Sequence, residues 1–347
     1  MKLLYAVLTL AAAACAGASI RTETREALPA PVANNAVAFG RDARGLATIY
    51  SFMGLGSGKT YNDVVAAAYA CEEATLDCRR IGDVPVETGR LASVAASAGG
   101  LIYIFGGYTV AEDGSEESTT EVFRFDPVTE QYDRVADMPT PVDDSTAIVL
   151  YDRYIYLVSG WHDDGNVALT QVYDTHEDRW FRATDFPGAP VFGHAGGGDG
   201  RTILVMGGVK TLAGDGGERK FVASDEAWIG RVLKESPQEI EWLRAPSPPV
   251  GPYYRMAASN GSDLVYFAGG GDNPYNYNGV GYDGAPAKPS SKIMAFDVKS
   301  MKWTVVGDIP PSMDHRGLVA GDSGLYIMGG LGPDLEVRAA VTRIETE

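Results

Sequence analysis

Hydrophobic and polar positions along this chain repeat one phrase six times. An apolar run leads into a landmark pair rich in glycine, then a polar stretch. A second apolar run with an aromatic follows, then a tight turn, a short strand and a proline. The pairs are Met53-Gly54, Gly106-Gly107, Ser159-Gly160, Gly207-Gly208, Gly269-Gly270 and Gly329-Gly330. From 54 to 106, 159, 207, 269 and 329 the steps are 52, 53, 48, 62 and 60 residues. A period near 50 with about four short strands per unit predicts a β-propeller of six blades.

The second copy shows the grammar. Residues 101–105, Leu-Ile-Tyr-Ile-Phe, are apolar throughout, as a strand covered on both faces by neighbouring blades must be. Gly106-Gly107 then marks a step that needs positive φ or tolerates no side chain. Phe125 and Tyr132, Tyr173 and Trp180, and Phe296 and Trp303 each stand seven apart across a hairpin. Pro139, Pro187 and Pro310 follow seven residues later, and Trp242 with Pro249 keeps that relation behind a longer hairpin. Paired glycines, an aromatic before Asp126-Pro127 and a tryptophan ahead of a proline turn resemble Kelch repeats over roughly residues 27 to 345. The resemblance implies an all-β, six-bladed Kelch-type β-propeller, with residues 22–347 in a single ring.

The chain ends at Ile344-Glu-Thr-Glu347, after the third strand of the sixth blade, so that blade is expected to lack its outer strand. The N-terminal phrase from Thr22 to Leu28-Pro29 matches the outer-strand phrase from Cys78 to Val84-Pro85. The first strand is therefore expected to complete the last blade, closing the ring and removing an exposed sheet edge.

With 46 acidic against 29 basic residues the net charge is −17, and no basic stripe runs along the chain. Nucleic acid is not an expected partner, and the charge reads as solubility on the outer blades. Residues 1 to about 18 read as an export leader: Lys2, an apolar run from Leu3 to Ala14 too short to span a bilayer, then Ala16-Gly17-Ala18. Ala13-Ala14-Cys15 also resembles a lipoprotein box, with Ala12 where leucine is usual. Two outcomes stay open, a soluble periplasmic or secreted protein and one anchored by lipid at Cys15. Cys71 and Cys78 hold the hairpin positions of Phe125 and Tyr132. In an oxidising compartment they are expected to form a disulfide rather than serve chemistry or metal.

In an antiparallel meander the blade-entry turns share a face with the loops after each second strand. Segments 108–120, 161–168, 209–222 and 271–290 collect there, opposite the Cys71–Cys78 hairpin, and loops on a rigid scaffold are where binding residues concentrate. The entry turns are expected to bring Arg90, Asp144, His194, Arg255, His315 and Arg316 near the axis. Converging arginines favour a carboxylate or other anion; the alternative is that each only ties its blade to neighbouring carbonyls. Tyr275 and Tyr277 suit stacking on a sugar.

No metal or cofactor is expected. Gly54 to Thr60 nearly spells a P-loop but has Met53 where the first glycine is required. His162-Asp163-Asp164 lacks a second ligand cluster, and Pro274 stands where a calcium loop needs its first aspartate. Copper-radical chemistry of the galactose oxidase kind is excluded, because the cysteines sit in one hairpin and the four histidines do not supply its ligand set.

The chain further resembles the exported six-bladed N-acetylneuraminate epimerases, the sialic-acid mutarotases. The shared features are Gly54-Leu-Gly-Ser57, an insertion rich in tyrosine and asparagine after Ala268-Gly-Gly270, and Arg90 and Arg316 opening the second and sixth blades. That family carries its catalytic glutamate in a Gly-Glu-x-Lys phrase, whereas Gly208-Val209-Lys210 here lacks the acid. Glu218 and Arg219, later in the same loop, are the candidate substitutes, with His194 as partner, since mutarotation needs an acid and a base. The resemblance implies an exported propeller that binds an anionic sugar or similar small ligand in an axial pocket. The alternative is a non-catalytic protein-interaction module, the common use of Kelch rings.

Overall fold

The computed structural model describes residues 20–214, 216–251, 253–259 and 263–346; the leader and Cys15 lie outside them. Six four-stranded antiparallel sheets are arranged in a ring. Their innermost strands are Ala36–Arg41, Val94–Ala98, Ala147–Leu150, Ala195–Gly198, Ala257–Ala258 and Val319–Ala320. Small residues dominate these strands because six of them converge on the axis. A side chain at Gly197, for example, would meet the Ser259 carbonyl at 1.9 Å.

The ring closes as the sequence requires. Arg21–Glu26 pairs antiparallel with Ala340–Glu345, from Arg21 opposite Glu345 to Glu26 opposite Ala340. Ala27 and Leu28 extend the seam by donating their N–H groups to the Ala339 carbonyl at 3.0 and 2.9 Å. The closing strand is exposed along its length, so its hold is mainly main-chain pairing, with buried Leu28 as the apolar anchor.

The outer hairpins explain the repeated spacing of seven. Phe125 lies directly opposite Tyr132, Tyr173 opposite Trp180, and Phe296 opposite Trp303, with ring centroids 4.8, 5.2 and 4.8 Å apart. In the first blade Cys71 faces Cys78 and the two form a disulfide. Between blades the core is aromatic: Phe52 packs on Phe125 at 5.3 Å, and Phe105 on Trp180 at 5.8 Å.

Three excursions fold into extra hairpins on one face. They are Tyr108–Val110 with Glu116–Ser118, Trp161–His162 with Gly165–Asn166, and Val209–Ala213 with Arg219–Ala223. Segment 271–290 is stitched to itself by bridges such as Tyr275–Gly281 and Val280–Pro286. Among the described residues no helix is long and apolar enough to cross a membrane.

Candidate functional site

Each blade begins at the axis with a residue of positive φ: Asn34, Ala92, Asp144, Gly193, Arg255 and Asp314, between 47° and 69°. The left-handed turn passes hydrogen bonds from blade to blade. N–H groups of Asp144, Gly193, Arg255, His315 and Asn34 donate to the carbonyls of Ala92, Asp144, Gly193, Arg255 and Asp314, at 2.8–3.3 Å. The sixth link is a side chain, Asn34 Oδ1, which accepts from Ala92 N–H at 2.5 Å. Together they close an annulus around the axis.

The annulus is filled by charge that cancels. Arg255 donates through Nη2 and Nε to both oxygens of Asp144, at 2.5 and 3.2 Å, and through Nη1 to Asp314 at 3.2 Å. Arg316 reaches Asp144 at 2.7 Å and Asn34 Oδ1 at 2.8 Å. These charged side chains are at most 3% exposed. Burial opposes ionisation of Asp144, but Arg255 and Arg316 outweigh it and hold its carboxyl below the usual range. Burial wins at Asp314, whose carboxyl is pushed up. Two guanidiniums facing two carboxyls make a lock rather than an open anion receptor.

The other expected axial residues separate from it. Arg90 pairs with Glu121 and reaches the Gly106 and Glu121 carbonyls at 3.4 and 3.5 Å, so it braces its own blade apart from Arg255 and Arg316. Burial brings its guanidinium down to about 10. His194 and His315 follow the annulus residues and lie in the packing beneath it. His194 Nε2–H donates to the Val158 carbonyl at 2.8 Å, and Nδ1 finds no partner among the described residues. Burial lowers these imidazoles to about 4 and about 3, so both are neutral at pH 7. Tyr275 is fully buried, its ring 5.2 Å from the Arg255 guanidinium, and Tyr277 packs beside Leu91 and Tyr108. Glu218 is exposed and folds back to the Gly216 N–H at 3.0 Å.

Two kinds of space remain. A channel of about 290 Å³ runs from Arg316 and His194 below the lock to Asp152 and Gly200 at the opposite face. Its walls mix alanine and valine with Ser97, Ser145 and Thr146, and the cation at its floor is already paired. Above the lock, on the elaborated face, lies a cleft with lobes of about 240 and 130 Å³ that share Tyr108, Glu116, Asp143 and Trp161.

The cleft carries the unspent chemistry. Trp161 meets Phe192 at 5.3 Å and Phe221 at 6.2 Å, and Phe221 stacks on Tyr282 at 4.0 Å. Arg219 sits 5.4 Å from the Trp161 ring centre, with no ion pair among the described residues. Ser118 Oγ–H donates to Asp143 Oδ2 at 2.6 Å. Burial first, then the Asp144 carboxylate, push the Asp143 carboxyl well above its ordinary range. Of the residues proposed from sequence for catalysis, Arg219 reaches this cleft, while His194 and Glu218 do not line it. The sequence reading missed Asp143, Glu116, Trp161, Phe221 and Tyr282.

Residues 89–139 match the Kelch motif family. Kelch-like protein 15 of Mus musculus is 23% identical over 240 residues, covering 67% of this chain and 37% of that protein. Beta-scruin of Limulus polyphemus is 24% identical over 178 residues, 50% of this chain and 18% of its own length. The chain thus spans well under half the length of these curated relatives. The solved structure of YjhT superposes with a TM-score of 0.70 at 17% identity, covering 92% of this chain and 95% of that one, a likeness of fold.

Proposed function

We propose that this six-bladed Kelch-type propeller is an exported protein whose loop-face cleft binds a small carbohydrate-like ligand bearing a carboxylate. One observation carries the reading: an aromatic wall of Trp161, Phe221 and Tyr282 stands beside Arg219, a cation without a protein counter-ion among the described residues. Aromatic faces offer the apolar side of a sugar ring a flat surface, and a guanidinium offers a carboxylate two parallel hydrogen bonds. The lock closes the axis on the loop-bearing face and its cations are already paired, so the ligand sits above it rather than in the axial channel. The leader pattern and the Cys71–Cys78 disulfide support export.

The test is a titration followed by tryptophan fluorescence and calorimetry, with N-acetylneuraminate and glucuronate against neutral galactose. Saturable binding of the acids is expected, weakened by roughly tenfold or more in Arg219→Ala, the worth of one charge-assisted pair. Trp161→Ala should weaken all three sugars. Absence of saturable binding to every sugar retires the reading. A second reading, capture of a protein by the same face, is favoured by Leu212, which is 49% exposed in the fourth-blade hairpin.

A further inference from the structure

We propose that the larger lobe of this cleft is built for a zwitterion, an amino-sugar acid whose carboxylate meets Arg219 and whose free ammonium group meets Asp143 and Glu116. The proposal rests on the cleft's carbohydrate reading and names the class of ligand within it.

The charges of this lobe of about 240 Å³ do not spend themselves on one another. Glu116, Asp143 and Asp163 line it together with Arg219, yet no ion pair joins the guanidinium to any of them among the described residues. The two signs stand on separate walls. Glu116 comes from the extra hairpin of the second blade, Asp143 from the entry turn of the third and Asp163 from that blade's own hairpin. Arg219 opens the returning strand of the fourth-blade hairpin, Arg219–Ala223. Each wall is fixed by contacts that leave its charge unneutralised. Arg219 is seated over the Trp161 ring at 5.4 Å. Asp163 Oδ1 accepts the Ser118 N–H at 3.1 Å, and Asp143 Oδ2 accepts the Ser118 Oγ–H at 2.6 Å, so one serine holds both acids in place.

The repeat singles Asp143 out. Immediately before each annulus residue, one position per blade bridges to the strand leaving the glycine landmark: Ala33–Leu55, Leu91–Tyr108, Asp143–Trp161, Phe192–Val209, Tyr254–Gly271 and Met313–Leu331. Five of these six equivalent positions hold Ala33, Leu91, Phe192, Tyr254 and Met313, all fully or nearly fully buried. The fold thus asks for an apolar side chain here and receives an aspartate in the third blade. Burying a carboxyl costs free energy that the scaffold does not need, which is the mark of a functional position.

A lone carboxylate suits this lobe only in part, because it gains one guanidinium while entering among three carboxyls. A ligand that carries a positive charge beside its carboxylate offers each wall a counter-ion. Bidentate bonds to the guanidinium on one side and ammonium hydrogen bonds to the acids on the other also fix which way round it lies. Burial and the Asp144 carboxylate hold Asp143 towards its protonated form, and an ammonium group drawn beside it favours the ionised one. Acids without the ammonium still meet Arg219 and the aromatic wall, less tightly.

Muramic acid and N-acetylmuramic acid are the probes, since they share ring and carboxylate and acetylation removes only the ammonium charge. Calorimetry at mildly acidic pH, where the amine is protonated, reads both. Wild type should bind muramic acid about tenfold tighter than its N-acetyl form, the worth of one charge-assisted pair. Glu116→Gln with Asp143→Asn keeps the shapes of the two acids and should bring the affinities to within about twofold, by weakening muramic acid alone. Arg219→Ala should weaken both ligands and leave the preference standing. Circular dichroism checks that each variant is folded, and the single substitutions, each expected to lose part of the preference, replace a double variant that is not. Equal affinity of the two acids for wild type, or a preference that survives in the folded variants of Glu116 and Asp143, overturns the proposal and leaves the cleft reading intact. Binding of neither acid overturns both.

Discussion

Replacing Arg255 by methionine tests the axial lock most directly. The change keeps an unbranched, apolar stem but removes a guanidinium that is 2% exposed and makes three hydrogen bonds to two carboxyls. It also removes the cation lying 4.7 Å from the Tyr254 ring centre. Asp144 keeps Arg316 at 2.7 Å, but Asp314 is left with Arg316 at 3.6 Å and Asn34 at 3.2 Å. Breaking one side of a buried ion pair typically costs about 3–5 kcal/mol, because the stranded charge stays buried. Asp314→Asn alone should cost less than the arginine change, since it strands no charge that Asp144 does not also hold, and Oδ2 has no partner among the described residues. In the double variant the stranded charge is gone, so the two losses should fall short of their sum by about 1–3 kcal/mol. Urea unfolding of the four proteins at pH 7 measures the cycle. Losses that add to within about 0.3 kcal/mol would refute the claim that Arg255 and Asp314 form one unit.

Three further outcomes are expected. Gly193→Ala should destabilise by roughly 2–4 kcal/mol, measured by urea unfolding: Ala92 tolerates the same φ, but a methyl at 193 would lie 1.7 Å from the buried Tyr254 ring. His194 contributes stability that is complete above its ordinary value of 6.5 and is lost as pH falls towards about 4, because the unfolded chain takes the proton first. That window is worth about 3 kcal/mol, and His194→Gln should flatten the stability slope between pH 6.5 and 4 by close to one proton. Reducing the disulfide should cost about 2 kcal/mol, as fits a short loop, and leave the native circular dichroism unchanged at room temperature.

The ring was legible because its rules are local. Spacings of seven across a hairpin and of about 50 between glycine landmarks come from strand length and turn chemistry alone, and the match of Leu28-Pro29 to Val84-Pro85 disclosed the closing strand. The axis was half legible. Asp144, Arg255 and Arg316 were placed there, yet they read as a receptor because their counterparts, Asn34 and Asp314, meet across 280 residues of chain. Sequence spacing gives no measure of such a pairing. The cleft was missed for a related reason: its walls come from four excursions whose mutual positions only the folded ring sets. Asp143 was nonetheless within reach, since aligning the entry turns would have exposed an aspartate in an apolar column.

Lock and cleft share Arg255, which both neutralises Asp144 and lines the smaller lobe above it. An incoming carboxylate would have to displace a buried aspartate already 2.5 Å from the guanidinium, so Arg255 is a poor anion receptor and Arg219 is the better one. Arg255 does something else from below. Its positive charge favours ionisation of Asp143, against burial and the neighbouring Asp144 carboxylate that suppress it. The ionisation of Asp143 is therefore governed by the same charges that hold six blades together. Arg255→Met should show this directly: in protein that remains folded, the titration of the Asp143 carboxyl, followed by carboxyl-carbon NMR, moves to higher pH, since a cation favouring the carboxylate is gone. A midpoint that stays in place, or moves down, would mean that the lock and Asp143 are electrostatically independent despite being neighbours in the chain.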